Sequence, residues 1–166
     1  MAGSYDFFKE DVAKYLKEKF TPNARVLDIG AGGGAYYNYL GDYFKEMDAV
    51  EVFEPNIKEY DLESKYNKVF NVDIKDFEYG HYDIIIFGDV LEHLTVKDAQ
   101  KVLDYALDRC YEVIVAVPYM YEQDEIYGNK YEKHLQPDLT KENMLARYPR
   151  LKYLIGCDAY GYYIKR

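Results

Sequence analysis

The segment Val26-Leu27-Asp28-Ile29-Gly30-Ala31-Gly32-Gly33-Gly34-Ala35 contains the strongest structural signal in this sequence. Its apolar half predicts a buried strand. The glycines after it predict a turn whose backbone can lie directly against a ligand, because no Cβ intervenes. Residues 36–44 then read as a helix, so a ligand in the turn would lie beyond a strand's carboxyl end and beside a helix N-terminus. The segment therefore predicts the binding turn of a nucleotide-type pocket.

An acidic residue just before the glycines indicates which kind of nucleotide would bind. Gly30, Gly32 and Ala35 also satisfy the loose pattern of dinucleotide-binding turns, which is a weak signal by itself. Asp28, two residues before the first glycine, would repel a pyrophosphate and attract an ammonium or sulfonium group. We therefore expect a cationic nucleoside rather than an anionic dinucleotide. A glycine-rich turn followed by a helix, with Asp28 as a solvated strand-end residue, is the simpler alternative.

Composition and charge exclude several classes of protein. The chain has 166 residues and 49% hydrophobic content, which fits a single domain spanning residues 1–166. Its formal net charge of −9 offers no basic surface for a nucleic-acid backbone and disfavours an anionic membrane. Cys110 and Cys157 form neither a metal-binding nor a redox spacing. We therefore expect a reduced, cytoplasmic protein with no nucleic-acid or membrane partner.

Strands and helices alternate along the chain. Predicted strands cover residues 24–29, 49–53, 68–72, 82–87, 111–117, 151–157 and 161–165. The alternation predicts parallel strands with crossover helices, but the link between the last two strands is too short for a crossover. The predicted fold class is therefore α/β, with a Rossmann-like doubly wound sheet of seven strands, mostly parallel with an antiparallel last strand.

Two segments are expected to cover the ligand-binding edge of this sheet. Residues 1–20 contain an amphipathic helix, predicted over residues 5–20. Residues 118–137 form a long polar and aromatic loop, and such length in a compact domain is typical of a functional loop or of disorder. Tyrosines expected to wall an acceptor pocket are Tyr5, Tyr36, Tyr119, Tyr121, Tyr127 and Tyr131.

Three carboxylates fall at predicted strand ends. Asp28 lies near the end of the first strand, Glu54 with Pro55 follows the second, and Asp73 with Ile74 follows the third. Because parallel strand ends share one edge, these acids are expected to line one crevice. Glu54 is placed to accept two hydrogen bonds from a ribose diol, and Asp73 to accept one from an adenine amine. Each acid taken alone is equally explained as a solvated strand terminus.

On these motifs the chain resembles the class I S-adenosylmethionine-dependent methyltransferases. The most specific part is Phe87-Gly88-Asp89-Val90-Leu91-Glu92-His93-Leu94, which is similar to the segment after the fourth strand in many small-molecule methyltransferases. An antiparallel last strand is also a feature of that family. The resemblance implies S-adenosylmethionine as the cofactor. It assigns the methionine part to Asp28, Gly30, Ala31 and Gly32, the ribose to Glu54 and Pro55, the adenine to Asp73 and Ile74, and the region near the sulfonium to Asp89.

Methyl transfer from a sulfonium depends mainly on alignment, and a base is needed only where the acceptor loses a proton. The candidate catalytic residues are Asp89, His93 and His134. Asp89 and His93 would share one face of a helical turn. His134 lies in the long loop, where a histidine is more often a solvated surface residue. We expect methyl transfer to an oxygen or nitrogen of a small-molecule or carbohydrate-like acceptor, by a monomer or homodimer.

Three alternatives stay open. The chain is a non-catalytic S-adenosylmethionine-binding or regulatory module, or it is a nicotinamide-dependent oxidoreductase, which Asp28 and the 89–94 segment disfavour. In the third, Asp89, Glu92, His93 and His134 loosely resemble the carboxylate–histidine set of metal-assisted small-RNA methyltransferases. Adjacent Glu92 and His93 would point in different directions on a helix, and the acidic charge disfavours RNA. We therefore expect no metal.

Overall fold

One seven-stranded sheet forms the centre of the structure, a computed structural model that describes residues 6–166. Its strands are β1 (Arg25–Ile29), β2 (Glu46–Val50), β3 (Lys68–Phe70), β4 (Ile84–Gly88), β5 (Glu112–Pro118), β6 (Leu151–Gly156) and β7 (Tyr160–Lys165). The strand order is β3-β2-β1-β4-β5-β7-β6. β3, β2, β1, β4 and β5 are parallel, whereas β7 is antiparallel to both β5 and β6. The predicted α/β class and the antiparallel last strand are confirmed.

Helices cover both faces of the sheet. They are α1 (Lys9–Lys19), α2 (Ala35–Leu40), α3 (Glu54–Glu59), α4 (Leu62–Lys65), α5 (Val96–Leu107) and α6 (Lys141–Arg147). Alternate residues of a strand face opposite sides, so Ile84 and Ile86 of β4 pack in the cluster that contains α1 and α2. Ile85 and Phe87 pack in the cluster that contains α5. None of the helices within residues 6–166 is long and apolar enough to cross a membrane.

The first two helices are shorter than the sequence predicts. α1 begins at Lys9, and Tyr5 lies outside the described residues. α2 ends at Leu40, before Gly41, rather than at Phe44. Glycine is the residue type that most favours a helix end, since it loses more conformational freedom than any other when it is ordered inside a helix.

The second strand lies earlier in the sequence than predicted, and this shift moves a functional residue. β2 ends at Val50, which pairs with Ile29 at the end of β1. Charged residues in its first half obscure the apolar pattern by which a strand is recognised in the sequence. One of them, Asp48, is buried, and its carboxylate accepts a hydrogen bond of 2.8 Å from the Tyr82 hydroxyl. Glu51, not Glu54, therefore follows the strand. Glu54 instead begins α3.

Candidate active site

A cavity of about 720 Å³ opens at the carboxyl edge of β1, β2 and β4. This volume lies within the range of about 300–1,000 Å³ that is usual for small-molecule sites. The glycine turn, the ends of β2 and β3, the segment after β4 and the loop after β5 all contribute to its wall. The fold thus brings together the motifs that the sequence spreads over more than half of the chain.

The glycine turn has a backbone that only glycine adopts without strain. Gly30, Gly32 and Gly34 have positive φ angles of 67°, 53° and 78°. A Cβ on Gly30 would also lie 2.6 Å from Cγ2 of Val90, so this position needs a glycine for packing as well. Gly30, Ala31 and Gly32 line the cavity. Their backbone is therefore open to a ligand.

Glu51 is the acid that the second strand presents to the cavity. It is buried, with 5% of its surface exposed, and it lines the cavity. Oε2 accepts a hydrogen bond of 2.8 Å from the Gly32 N–H, and Oε1 accepts one of 2.9 Å from the Phe53 N–H. Burial raises the pKa of this carboxyl group, and the two N–H donors oppose the rise. Each carboxylate oxygen keeps a further lone pair for a ligand hydroxyl.

Glu54 and Pro55 do not occupy the position predicted for them. Neither lines the cavity, and Glu54 forms an exposed ion pair of 2.8 Å with Lys58 on the next turn of α3. The assignment of the ribose to Glu54 depended on a strand ending there, and the strand ends at Val50. Proline is favoured in the first turn of a helix, where its missing N–H has no partner to lose. Pro55 was therefore the sequence signal that α3 begins at Glu54.

Asp28 is also placed differently from the expectation. It belongs to β1, is 1% exposed and does not line the cavity. Its Oδ2 accepts a hydrogen bond of 2.5 Å from the Tyr66 hydroxyl. Burial raises the pKa of this carboxyl group to about 7, although the bond from Tyr66 opposes the rise. The expected direct contact between Asp28 and a cationic ligand is not available in this arrangement.

Asp73 and Ile74 line the cavity where the sequence places them. Asp73 precedes a 3₁₀-helical turn, Ile74–Asp76, and its side chain accepts a hydrogen bond of 3.0 Å from the Lys75 N–H. Ile74 is almost fully buried beside it. A carboxylate next to an apolar side chain suits the amine and the ring face of a purine.

Asp89 follows β4 directly and lines the same cavity. Its φ angle of 56° is in the left-handed region, which is unusual for a residue other than glycine. Oδ1 accepts a hydrogen bond of 2.6 Å from the hydroxyl of Tyr160, a fully buried residue of β7. The main-chain N–H of Asp89 bonds to the Ala116 carbonyl at 2.9 Å. The carboxylate is therefore fixed by the sheet on one side of the cavity.

Beyond Asp89, residues Leu91–His93 form a 3₁₀-helical turn. The loop after β5 folds back and contacts this turn. The Glu92 carbonyl accepts hydrogen bonds from the Leu135 and Gln136 N–H groups at 2.8 Å and 3.0 Å. This pairing places His134 beside His93, with ring centroids 4.8 Å apart. The expectation that Glu92 and His93 would diverge is wrong, because the turn is not α-helical and both side chains line the cavity.

Burial shifts the pKa of all three of these side chains. Glu92 is 1% exposed, and burial raises the pKa of its carboxyl group well above the usual value. Burial and the neighbouring His134 lower the pKa of His93 to about 4, and burial lowers the pKa of His134. Both imidazoles are therefore neutral near pH 7. Neutral histidine accepts a proton or binds a metal through its unprotonated nitrogen.

The segments predicted to cover the cavity contribute unequally. None of residues 6–20 lines it; α1 lies behind the wall, with the ammonium group of Lys9 5.2 Å from the centre of the Tyr36 ring. Residues 118–137 form much of the wall. Of the predicted tyrosines, Tyr36, Tyr121 and Tyr131 line the cavity, Tyr119 and Tyr127 do not, and Tyr5 lies outside the described residues.

The sequence profile described as "Methyltransferase domain" matches residues 5–112. No functionally curated protein matches the sequence significantly.

Several solved structures share the fold. The N-terminal domain of EvdMO1 with S-adenosylhomocysteine bound has a TM-score of 0.73 at 14% identity, over 98% of this chain and 82% of that chain. An S-adenosylmethionine-dependent methyltransferase from Clostridium acetobutylicum has a TM-score of 0.72 at 14% identity, over 97% and 92%. The mitomycin 7-O-methyltransferase MmcR has a TM-score of 0.65 at 14% identity, over 95% and 52%.

Proposed function

We propose that this chain, which belongs to the methyltransferase-domain family and is an S-adenosylmethionine-dependent methyltransferase, methylates an oxygen or nitrogen atom of a small polar acceptor. Membership of the family follows from the match over residues 5–112, and the cofactor from neighbours of the same fold, one with S-adenosylhomocysteine bound and one that is an S-adenosylmethionine-dependent methyltransferase. The acceptor is our inference from the cavity. The observation that carries it is the single continuous cavity that joins the glycine turn to the loop after β5.

The inner half of the cavity suits the cofactor. We assign the ribose hydroxyls to Glu51, which replaces Glu54 in this role, and the adenine to Asp73 and Ile74. The main chain of residues 30–32 would hold the methionine part, and Asp89 would face the sulfonium. Asp28 would act indirectly, because its hydrogen bond from Tyr66 joins β1 to the residue after α4. These assignments follow from which residues line the cavity and from their charge.

The reaction itself is a displacement at carbon. The acceptor's lone pair forms a bond to the methyl carbon as the carbon–sulfur bond breaks, and the sulfonium leaves as a neutral thioether. Alignment of the two reactants supplies much of the acceleration in such a step. A hydroxyl acceptor must also lose a proton, and the neutral imidazole of His134 is better suited to take it than that of His93, because a pKa of about 4 makes His93 a weak base.

The outer half of the cavity suits a small hydroxylated acceptor such as a sugar. Its wall carries side chains able to donate or accept hydrogen bonds, namely Glu92, His93, Tyr121, Gln123, Glu132 and His134. The formal net charge of −9 disfavours a nucleic-acid acceptor. Fold neighbours named for transfer to oxygen and for transfer to nitrogen support either atom as the acceptor.

We also propose that the enzyme works in the cytoplasm as a monomer or homodimer. Both cysteines are free thiols, Cys110 buried and Cys157 exposed, which fits a reducing compartment. Light scattering of the purified chain measures the oligomeric state, and a stable trimer or larger assembly would contradict this part of the proposal.

A methyl-transfer screen tests the proposed acceptor. The purified chain is incubated with tritiated S-adenosylmethionine and with sugars, amino sugars, polyols and phenols, and label is counted in each acceptor. We expect label in one of these classes together with release of S-adenosylhomocysteine, and the Glu51→Gln variant serves as the control with weakened cofactor binding. Transfer only to RNA or protein, or cofactor binding with no transfer to any acceptor, would contradict the proposal.

A further inference from the structure

We propose that Glu92, His93 and His134 form a binding site for one divalent first-row transition-metal ion in the wall of the cavity. One potential ligand atom from each side chain lies within 4.8 Å of those of the other two. Oε1 of Glu92 and Nε2 of His93 are already 3.7 Å apart. Bonds of about 2.0–2.2 Å to a tetrahedral metal ion put neighbouring ligand atoms roughly 3.3–3.6 Å apart, so small side-chain rotations would close the site.

The hydrogen bonds of the two histidines prepare them as ligands. Nδ1 of His93 lies 3.2 Å from the Lys133 carbonyl, and Nδ1 of His134 lies 2.7 Å from the Tyr121 carbonyl. A carbonyl oxygen only accepts, so each Nδ1 carries the proton and donates it. Each Nε2 is then the nitrogen with the lone pair. Metal-binding histidines are typically oriented in this way, by a second hydrogen bond to a carbonyl or carboxylate.

The buried carboxylate of Glu92 independently indicates that a cation binds beside the two histidines. The side chain is 1% exposed, and within residues 6–166 neither carboxylate oxygen has a hydrogen-bond partner. A buried polar group without a partner is costly, and a buried charge more so, unless a partner or a metal satisfies it. Since Glu92 lines the cavity beside both imidazoles, an ion held there would bind the carboxylate and balance its charge.

The main chain holds the three ligands in place before any ion binds. The Glu92 carbonyl accepts hydrogen bonds from the Leu135 and Gln136 N–H groups, immediately after His134. The Gln136 side-chain amide donates to the Leu91 and Leu94 carbonyls at 2.8 Å and 3.1 Å, on either side of the turn. The turn that carries Glu92 and His93 is thus tied to the loop that carries His134.

The ligand types indicate the class of ion. Imidazole nitrogens suit zinc, iron, nickel and copper, whereas magnesium and calcium prefer oxygen ligands alone. Two imidazoles and one carboxylate also leave coordination positions open towards the cavity. Acceptor oxygens would complete the ion's coordination there, and the ion, in place of proton transfer to the two histidines, would then favour loss of the acceptor's proton; this role rests on the proposed function, whereas the binding of the ion does not.

Cobalt(II) titration tests the site without any methyl donor or acceptor. The untagged chain is stripped with a chelator and titrated with Co²⁺, with calorimetry and visible absorption as readouts. We expect one ion per chain, displaced by Zn²⁺ but not by Mg²⁺. His93→Ala and His134→Ala should each weaken Co²⁺ binding by more than about tenfold, since even outer-shell changes weaken metal sites by about 10–100-fold.

His81→Ala is the matched control, because His81 is exposed and does not line the cavity. It should bind Co²⁺ as the parent does. Circular dichroism confirms that each variant folds. Glu92→Gln tests the third ligand, because it keeps the side chain's shape and removes its charge. If this variant fails to fold, the two histidine variants decide whether the site exists. No stoichiometric binding by the parent, or equal binding by His134→Ala and His81→Ala, would overturn the proposal.

Failure of this site and failure of the proposed function give different results. Co²⁺ bound through the two histidines, with no small acceptor methylated, would leave the metal site standing and refute the acceptor. Methylation of a small acceptor that survives complete chelation, together with no Co²⁺ binding, would refute the metal site alone.

Discussion

The main-chain N–H of Gly32 donates a hydrogen bond of 2.8 Å to the Glu51 carboxylate, which joins the glycine turn after β1 to the end of β2. The other oxygen of the same carboxylate holds the Phe53 N–H at 2.9 Å. One buried acid thus fixes the backbone on two sides of the cavity while it lines the cavity itself. This arrangement makes Glu51 the residue on which cofactor binding is expected to depend.

Glu51→Gln should weaken the binding of S-adenosylmethionine by more than about tenfold, or about 1.4 kcal/mol, because the amide cannot accept hydrogen bonds at both ends. Isothermal titration calorimetry measures the change. Glu54→Ala is the matched control: it removes an exposed acid three residues later and should leave the affinity unchanged. A larger loss of S-adenosylmethionine affinity in Glu54→Ala than in Glu51→Gln would show that Glu54, and not Glu51, binds the ribose.

The contrast between these two acids shows how far the sequence alone predicts this protein. Apolar strands such as Ile84–Gly88 and the glycines after Ile29 report directly on burial and backbone geometry, so the sheet, the turn and the antiparallel end are predictable. β2 was misplaced because Asp48, a charged residue, lies buried inside it and is satisfied by Tyr82. Tyr82 is 34 residues from Asp48 in the sequence, so the residues around Asp48 give no indication of this hydrogen bond.

The sequence suggests Glu92, His93 and His134 as possible metal ligands but gives no reason to expect their side chains together, for a similar reason. Its assembly depends on two main-chain hydrogen bonds from Leu135 and Gln136 to the Glu92 carbonyl. Main-chain pairing between a loop and a distant turn leaves no residue-type signature. The sequence identified all three residues but not their proximity.

Asp89→Asn should reduce the affinity for S-adenosylmethionine about tenfold more than the affinity for S-adenosylhomocysteine. The two ligands differ by the methyl group and by the positive charge on sulfur, and the substitution removes only the carboxylate's charge. The amide oxygen still accepts the bond from Tyr160, so the fold is expected to persist. Calorimetric titration of both ligands against both proteins gives the ratio. An equal loss of affinity for the two ligands would show that Asp89 does not lie near the sulfonium.

His134→Ala should slow methyl transfer to a hydroxyl acceptor by at least about tenfold, as expected for loss of a proton acceptor or of a ligand that positions the acceptor. Cofactor affinity should not change, because His134 lies in the outer half of the cavity. Single-turnover rates and calorimetry measure the two quantities. Tyr127→Ala, an exposed residue of the same loop that does not line the cavity, is the control. Equal turnover in all three proteins would make His134 a structural residue.

Gly30→Ala should lower the free energy of unfolding by about 2–4 kcal/mol, from backbone strain at φ 67° together with the contact between its Cβ and Val90. Gly128→Ala is a control that separates the two causes, since its φ of 73° is similar but its Cβ would meet nothing within 4 Å. It should cost about 1 kcal/mol. Urea denaturation gives both values, and equal losses would show that contact with Val90 is unimportant.

Asp28→Asn should flatten the pH dependence of stability. Because the pKa of Asp28 is raised to about 7 in the folded state, the folded chain holds a proton that the unfolded chain has already lost between about pH 4 and pH 7. Stability therefore falls as pH rises through this window, by at most about 1.4 kcal/mol per pH unit for one group. Urea denaturation of both proteins at pH 5 and pH 8 measures the difference. The same loss in the parent and in Asp28→Asn would show that Asp28 is ionised throughout.

A crystal structure of the complex with S-adenosylhomocysteine would locate the cofactor against the residues named here. We expect both ribose hydroxyls within hydrogen-bond distance of the Glu51 carboxylate, the adenine amine beside Asp73, and the sulfur on the side of the cavity that faces Asp89. A product molecule bound outside this cavity, or one whose ribose contacts Glu54 instead, would contradict the account.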